Sequence, residues 1–329
     1  MIEASAPIRI CDNGGWTDTW FGGPGRVLNI AVDPGVEVSI SSTEGRDPVV
    51  LEVEAFGDRY PIVPGSPRFA RHPLLEAAID YLAPPADRAV EIKVRSSVPA
   101  GCGTGTSAAV AVALLGGLAA LHPEQPKKLR DIAYAAHRLE VDVLGLESGI
   151  QDQLSSAYGG INFIEIEPYP QATVRPLPMW EELSQLLTLV LCGRPHDSTA
   201  LHRQVIANGG GSEVFSRLRN AAVAACDAVV ARDLDAFGRA MIANTEAQRA
   251  LHLEIVGVDA TRVIETAAAH GAIGWKVNGA GGDGGSVTIL SPSRQTKKAM
   301  EHGVTVADAN HKVIPVRISA VGLQVHGIG

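Results

Sequence analysis

The 329-residue chain has no run of basic residues and no basic patch interleaved with aromatics. Lys and Arg number 28 against 36 Asp and Glu, a net charge of -8. Nucleic acid and anionic membranes are therefore poor partners. The opening segment, MIEASAPIRI, lacks a charged stretch followed by an apolar one, so no signal peptide is expected. The longest apolar stretch, Ala108 to Leu121, is too short and too interrupted by glycine to span a bilayer. The cysteines, Cys11, Cys102, Cys192 and Cys226, lie far apart with no CxxC pair, which argues against a zinc site and a disulfide framework alike. No internal repeat or low-complexity block occurs. A reducing cytoplasm is the expected location. A chain of this charge that binds a polyanion must do so locally, through backbone amides, a helix terminus and a metal.

What is present is the composition of a packed soluble enzyme, 46% hydrophobic and 19% charged, with length enough for two domains. Pro7–Ile10, Val27–Val32 and Val36–Ile40 read as short strands joined by glycine turns, and 49–55 and 89–94 as half-buried strands. A short helix is expected over 73–82. Ser107–Leu121 predicts a helix apolar nearly all round, hence buried. Pro126–Leu144 predicts a second, with Leu129, Ile132, Ala136, Leu139 and Val143 at helical spacing. Strands follow at 159–166, 187–191, 285–290 and 313–319, and helices at about 213–227, 236–252 and 261–270. Strands and helices mix without regular alternation, which predicts an α+β fold over a doubly wound sheet. The Pro-rich stretch Pro176–Trp180 marks a division into residues 1–178 and 179–329.

Pro99-Ala-Gly-Cys-Gly-Thr-Gly-Thr-Ser-Ala-Ala109 lies between an expected strand and an expected helix. Gly101, Gly103 and Gly105 let the backbone approach a ligand closely. The amides opening the Ser107 helix suit a phosphate, and Thr104, Thr106 and Ser107 add hydroxyls for phosphate oxygens or a magnesium ion. No lysine follows the last glycine, so this is not a Walker A loop. Gly103, Gly105 and Ala108 satisfy GxGxxA, but HPEQPKK stands where a dinucleotide fold needs a strand ending in an acidic residue. A plain glycine turn with a capped helix remains as good an account of the loop alone.

Three further segments accompany it in order: Pro7-Ile-Arg-Ile running into Gly14-Gly-Trp-Thr-Asp-Thr19; Ser148-Gly-Ile-Gln-Asp-Gln153 ending in Tyr158-Gly-Gly160; and Lys276-Val-Asn-Gly-Ala-Gly-Gly-Asp-Gly-Gly285. With them the chain resembles the GHMP kinases, the superfamily of galactokinase, homoserine, mevalonate and phosphomevalonate kinases. SGIQDQ…AYGGINFIE is similar to the kinases of D-glycero-D-manno-heptose 7-phosphate, and GGWTDT to those of L-fucose. The resemblance spans about Pro7 to Leu290. Departures are Cys11-Asp12-Asn13 where small or apolar residues are usual, Thr104 and Thr106 for Leu and Ser, and Asp283 inside the third glycine motif.

The resemblance implies a two-domain fold: an N-terminal ribosomal-protein-like α/β domain with a left-handed crossover that binds ATP, and a C-terminal ferredoxin-like domain. It implies transfer of the ATP γ-phosphoryl group to a sugar hydroxyl, the anomeric one in both nearest groups, with ATP and Mg2+ as cofactors. Asp152, which alone reads as a helix cap in a polar loop, becomes the general base. Arg9, otherwise a strand arginine snorkelling to solvent, becomes its electrostatic partner. Ser107 and Glu140 become the magnesium ligands, with Asp142 facing away from Glu140. Gly101, Gly103, Thr104, Gly105, Thr106 and Ser107 contact ATP. Asp18, Trp16, Thr17, Gly15 and Gly281 bind the substrate, Gly279, Gly281 and Gly282 bring backbone close to the phosphate side, and Asp12 and Asn13 are further polar candidates. Thr199, Arg194, His196 and His202 are weaker candidates for the sugar pocket or a substrate phosphate. The partners expected are ATP and a small sugar or sugar phosphate, and a homodimer stays open. Two rivals are a silent sugar or nucleotide sensor on this fold and a family member acting on a non-sugar alcohol.

Overall fold

The computed structural model describes residues 1–327 except 46–47, 66–68, 100, 194–197, 208–210 and 283. The chain opens with β1 (Ile2–Asn13), β2 (Gly25–Glu44), β3 (Val49–Val53) and β4 (Asp58–Ile62). Next come α1 (Pro73–Tyr81), β5 (Arg88–Ser96), α2 (Thr106–Ala119), α3 (Leu129–Arg138) and α4 (Gln151–Tyr158). β6 (Ile161–Ile166), β7 (Ala172–Pro176) and α5 (Glu181–Ser184) lead to β8 (Leu187–Leu191). The helices α6 (Ser198–Ala207), α7 (Ser212–Ala231), α8 (Leu234–Leu251) and α9 (Val258–Ala269) follow. The chain closes with β9 (Gly274–Val277), β10 (Ser286–Leu290), α10 (Arg294–Ala307), β11 (Lys312–Ile314), β12 (Arg317–Ile318) and β13 (Gln324–Gly327).

Two largely antiparallel sheets result, mixed with helices as in an α+β fold. The first runs β13-β1-β2-β5-β3-β4, with β6 and β12 also on β2 and β7 on β6; only β3 and β5 pair in parallel. The second is the antiparallel set β11-β8-β10-β9. Its strands belong to the part of the chain beyond residue 178, after which β12 and β13 return to the first sheet. Val313–Ser319, expected as one strand, is thus two strands in different sheets. They part at Pro315, which has no N–H to donate to a ladder.

β2 corrects a second expectation. It runs unbroken where a glycine turn was expected between Val32 and Val36. Gly35 does not turn the chain. It lets β1 lie close, because a Cβ there would stand 2.3 Å from the Ala6 carbonyl oxygen, and the register slips at this point. Helix α2 is buried along almost its whole length, as its small apolar residues predict, and packs on β1 and β2. α10 had no expectation. Ser293 caps it by accepting from Thr296 N at 3.1 Å, and it buries Met300 and Val304.

The third correction bears on function. The helix expected over 126–144 is regular only for Leu129–Arg138, then widens into a π turn, Leu139–Val143, closed by Leu144 N to Leu139 O at 3.0 Å. The extra residue in that turn buries Glu140 and leaves Asp142 exposed.

Candidate active site

One cleft collects residues from five stretches of chain: β1 and the turn after it, the glycine run with the start of α2, the π turn with the loop to α4 and its first turn, α6 through His202, and the loop after β9. The glycine run is tied into the fold at several points. Gly101, Gly103 and Gly105 all have positive φ, and Gly105 sits at the N-cap of α2. Arg9 N donates to Thr104 O at 2.9 Å, and Ser286 Oγ to Cys102 O at 2.7 Å. Gly103 packs directly on the loop after β9, where a Cβ would lie 2.5 Å from Asn278 O. The Thr104 and Thr106 hydroxyls are buried and 3.0 Å from each other. Ser107, in the first turn of α2, is exposed to the cleft.

Arg9 and Asp152 meet at the foot of this run. The Arg9 guanidinium is buried and grips Asp152 with two prongs, Nε to Oδ1 at 2.8 Å and Nη2 to Oδ2 at 2.9 Å. Its Nη1 donates to the Gly103 carbonyl. Burial disfavours the guanidinium charge, but Asp152 and then Asp12 outweigh it and raise the Arg9 pKa further. Gly105 makes room for the pair, since a Cβ there would stand 3.2 Å from both Arg9 Cγ and Asp152 Oδ2. Asp152, in the first turn of α4, lines the cleft and keeps a quarter of its side chain exposed.

Two buried carboxyls flank the pair. Glu140 accepts from Ser148 Oγ at 2.7 Å and Gln153 Nε2 at 2.8 Å, both on Oε2, and its Oε1 accepts nothing among the described residues. Burial, aided by the Asp152 charge, pushes Glu140 up to about 7. Asp18 accepts from Gln151 N at 3.2 Å and packs on Gly149, where a Cβ would lie 1.8 Å from its Oδ2. Burial, then Asp152, pushes Asp18 up to about 7 as well.

Trp16 lines the same cleft with φ 77, an uncommon conformation for a bulky residue. Thr19 Oγ1 holds its carbonyl at 2.7 Å, and His202 meets its ring edge-on at 4.7 Å between centroids. Gly15, Thr17 and Gly281 are not among the residues lining the cleft. Gly15 backs onto Asp12, and Thr17 bonds Gly14 O and Arg26 O to shape the turn. Gly281 abuts the Ile255 carbonyl. Arg194, His196 and Asp283 lie outside the described residues, as does the Thr199 side chain.

Several participants were not singled out from sequence. Ser148 and Gln153 orient Glu140; both stand in the SGIQDQ segment, where only Asp152 was assigned a role. Asn278 accepts from Cys11 N at 3.1 Å and from Thr288 Oγ1 at 3.0 Å, fixing the end of β1 to the second sheet. Lys276 is buried with Asp12, Nζ to Oδ1 at 3.0 Å. Trp20 Nε1 reaches Glu147 at 2.7 Å across the rim.

A glycine run at a helix N-terminus is suited to a phosphate, and here it stands beside an arginine-held carboxylate and a buried carboxyl. Residues 73–160 match the family model described as GHMP kinases N terminal domain. The mevalonate kinase of Methanothermobacter thermautotrophicus is 30% identical over 243 residues, 71% of this chain and 73% of that protein. The D-glycero-alpha-D-manno-heptose 7-phosphate kinase of Campylobacter jejuni is 23% identical over 207 residues, 61% of each chain. The crystal structure of a D-glycero-D-manno-heptose 1-phosphate kinase from Bacteroides thetaiotaomicron superposes over 100% of both chains with a TM-score of 0.77, at 20% identity. The chain belongs to the GHMP kinase family, whose members transfer a phosphoryl group to an alcohol. No helix among the described residues is long and apolar enough to cross a membrane.

Proposed function

We propose that the chain transfers the γ-phosphoryl group of ATP to a hydroxyl of a neutral sugar, the anomeric hydroxyl, with Asp152 as general base. The Arg9–Asp152 pair carries this reading: a two-pronged ion pair fixes a carboxylate beside the glycine run, Gly105 foremost, which can bring phosphate within reach. Asp152 accepts the hydroxyl proton as the new O–P bond forms, the bond from the γ-phosphorus to its bridging oxygen breaks, and ADP departs with the electron pair. Arg9 faces the charge that develops on the transferring group. Residues 1–178 supply the glycine run and the base, and residues 179–329 the opposing loop after β9.

The donor set fits magnesium. Glu140 offers a carboxylate oxygen with free lone pairs and Ser107 an exposed hydroxyl, hard oxygen ligands of the kind Mg2+ takes beside nucleotide phosphates. When bound, Mg2+ would offset phosphate charge in a cleft lined by Asp12, Asp18, Glu140, Glu147 and Asp152.

That same acidity supports a neutral acceptor. Among the described residues the basic side chains lining the cleft are Arg9, gripped by Asp152, and His202, against Trp16. An acceptor carboxylate would sit among acids, whereas sugar hydroxyls can donate to Asp18 and Glu147. The test is ADP release with Mg2+ across free hexoses, heptoses, 6-deoxyhexoses, sugar phosphates and mevalonate. Turnover of a free sugar is expected. Turnover of mevalonate alone would overturn the acceptor class, and tight ATP binding with no turnover on any compound would favour a sensor.

A further inference from the structure

Proton transfer to Asp152 and attack on the phosphoryl group make no direct use of the pair between β1 and β9. Lys276 is completely buried and Asp12 nearly so. Lys276 Nζ donates to Asp12 Oδ1 at 3.0 Å and also to the Val277 carbonyl. The same carboxylate accepts the Gly279 amide at 3.1 Å, so it also holds the second residue of the loop that packs on Gly103. Arg9 Nη1 stands 4.0 Å from Asp12 Oδ1.

Arg9 therefore lies between two carboxylates, Asp152 at 2.8 Å and Asp12 at 4.0 Å. Coulomb attraction falls as the inverse of distance, so an unneutralised Asp12 would draw on Arg9 about 0.7 times as strongly as Asp152 does. Two donors already satisfy Asp12, the Gly279 amide shared between both oxygens and the Lys276 ammonium, and Lys276 is the charged one. Burial lowers the pKa of Lys276, with Asp12 opposing, while Lys276 and Arg9 hold Asp12 below the usual carboxylate range against its burial. Asp152 is faced in addition by the Asp18 and Glu140 carboxyls, and among the described residues Arg9 is the cation paired with it. A buried lysine without its partner is unfavourable, which explains the burial of both groups together but not why Arg9 keeps Asp152.

We propose that Lys276 is a positioning residue for phosphoryl transfer: it neutralises Asp12 and so reserves the Arg9 fork for Asp152. It does so from the strand that leads into the loop opposing the glycine run. The proposal rests on the reading of Asp152 as the base.

The test compares Lys276→Met, the double variant Asp12→Asn/Lys276→Met, and Asp152→Asn. Each is assayed for kcat on the best acceptor of the panel and for the Kd of Mg-ATP by calorimetry. Asn at position 12 keeps an acceptor for the Gly279 amide without the charge that competes for Arg9. Lys276→Met is expected to lower kcat about 10- to 100-fold, as small misplacements of catalytic groups do, with the Kd for ATP within about threefold. The double variant is expected to recover kcat to within about threefold of the parent. A merely structural pair would instead lower the folded fraction and ATP binding together and leave kcat per competent site unchanged. Unchanged kcat in Lys276→Met, or a folded double variant as slow as the single one, would overturn the proposal. Should Lys276→Met not fold, Lys276→Gln, which still donates to Asp12, takes its place under the same expectations. A wild-type rate in Asp152→Asn would remove the base reading itself, which no result at Lys276 does.

Discussion

Gly103 and Gly279 stand back to back. A Cβ on Gly103 would lie 2.5 Å from Asn278 O, and one on Gly279 would lie 2.8 Å from Gly103 O; both residues have positive φ. Contact at this distance leaves no room for any side chain, so the glycine run and the opposing loop keep a fixed separation. Gly103 O is also the acceptor for Arg9 Nη1, which joins the contact to the reacting pair.

Gly103→Ala must therefore push the two loops apart and also hold a methyl-bearing residue at φ 71, a strain of about 1–3 kcal/mol. The expected outcome is a 10- to 100-fold weaker Kd for Mg-ATP, roughly 1.4–2.7 kcal/mol, measured by calorimetry. A Kd within about twofold of the parent would show that the contact does not set the phosphate site.

Asp18 and Glu140 give the stability a pH dependence with a definite sign. Each carboxyl has its folded pKa raised to about 7, from 3.8 and 4.5, with burial as the first cause. A carboxyl that holds its proton more tightly when folded stabilises the protein below its unfolded pKa, and that contribution is lost as pH rises through the folded value. The loss is on the order of 1.4 kcal/mol for each tenfold by which folding tightens the hold on the proton. The Tm of the metal-free protein should fall between about pH 5 and pH 8. Asp18→Asn and Glu140→Gln should each flatten that fall, measured by calorimetric melting. Gln at 140 can still accept from Ser148 and Gln153. Mg-ATP should raise the Tm more at pH 8 than at pH 6 in the parent, and much less so in Glu140→Gln. A Tm that rises over this window in the metal-free parent would contradict both assignments.

What sequence made legible was set by how local the determining physics is. The glycine run announces itself because positive φ and close backbone approach demand glycine at fixed spacing, and α2 because its small apolar residues leave it no exposed face. The α+β class followed from strands and helices that form from local patterns. The junction between Val32 and Val36 was misread because a glycine that turns the chain and one that admits a neighbouring strand look alike; only the Ala6 carbonyl decides. The π turn was hidden for a related reason. Leu139 and Val143 fit the i+4 pattern of a regular helix, and one extra residue per turn leaves no mark on that pattern. Lys276 was equally opaque. Between Trp275 and Val277 it has the alternation of a lysine facing solvent, and its counter-ion is 264 residues away in sequence.

Gly149 gives a way to move one acceptor-side residue without touching it. Its Cβ position falls 1.8 Å from Asp18 Oδ2 and 2.9 Å from Oδ1, so Gly149→Ala cannot be accommodated with Asp18 in place. Asp18 has little freedom to retreat, because it is buried and bonded to Gln151 N at 3.2 Å. The methyl should expel the carboxyl from its seat and break that bond, which lies one residue from Asp152. The three atoms nearest that Cβ position all belong to the Asp18 carboxyl. The expected outcome is an acceptor KM raised about tenfold or more, the loss of one good hydrogen bond to a charged group. The Kd for Mg-ATP should stay within about twofold of the parent. Asp18→Ala, which removes the carboxyl but leaves Gly149 alone, should reproduce the rise in KM, and the two changes combined should be no worse than either. An acceptor KM unchanged in Asp18→Ala would show that the carboxyl does not meet the acceptor, whatever Gly149→Ala does to the loop.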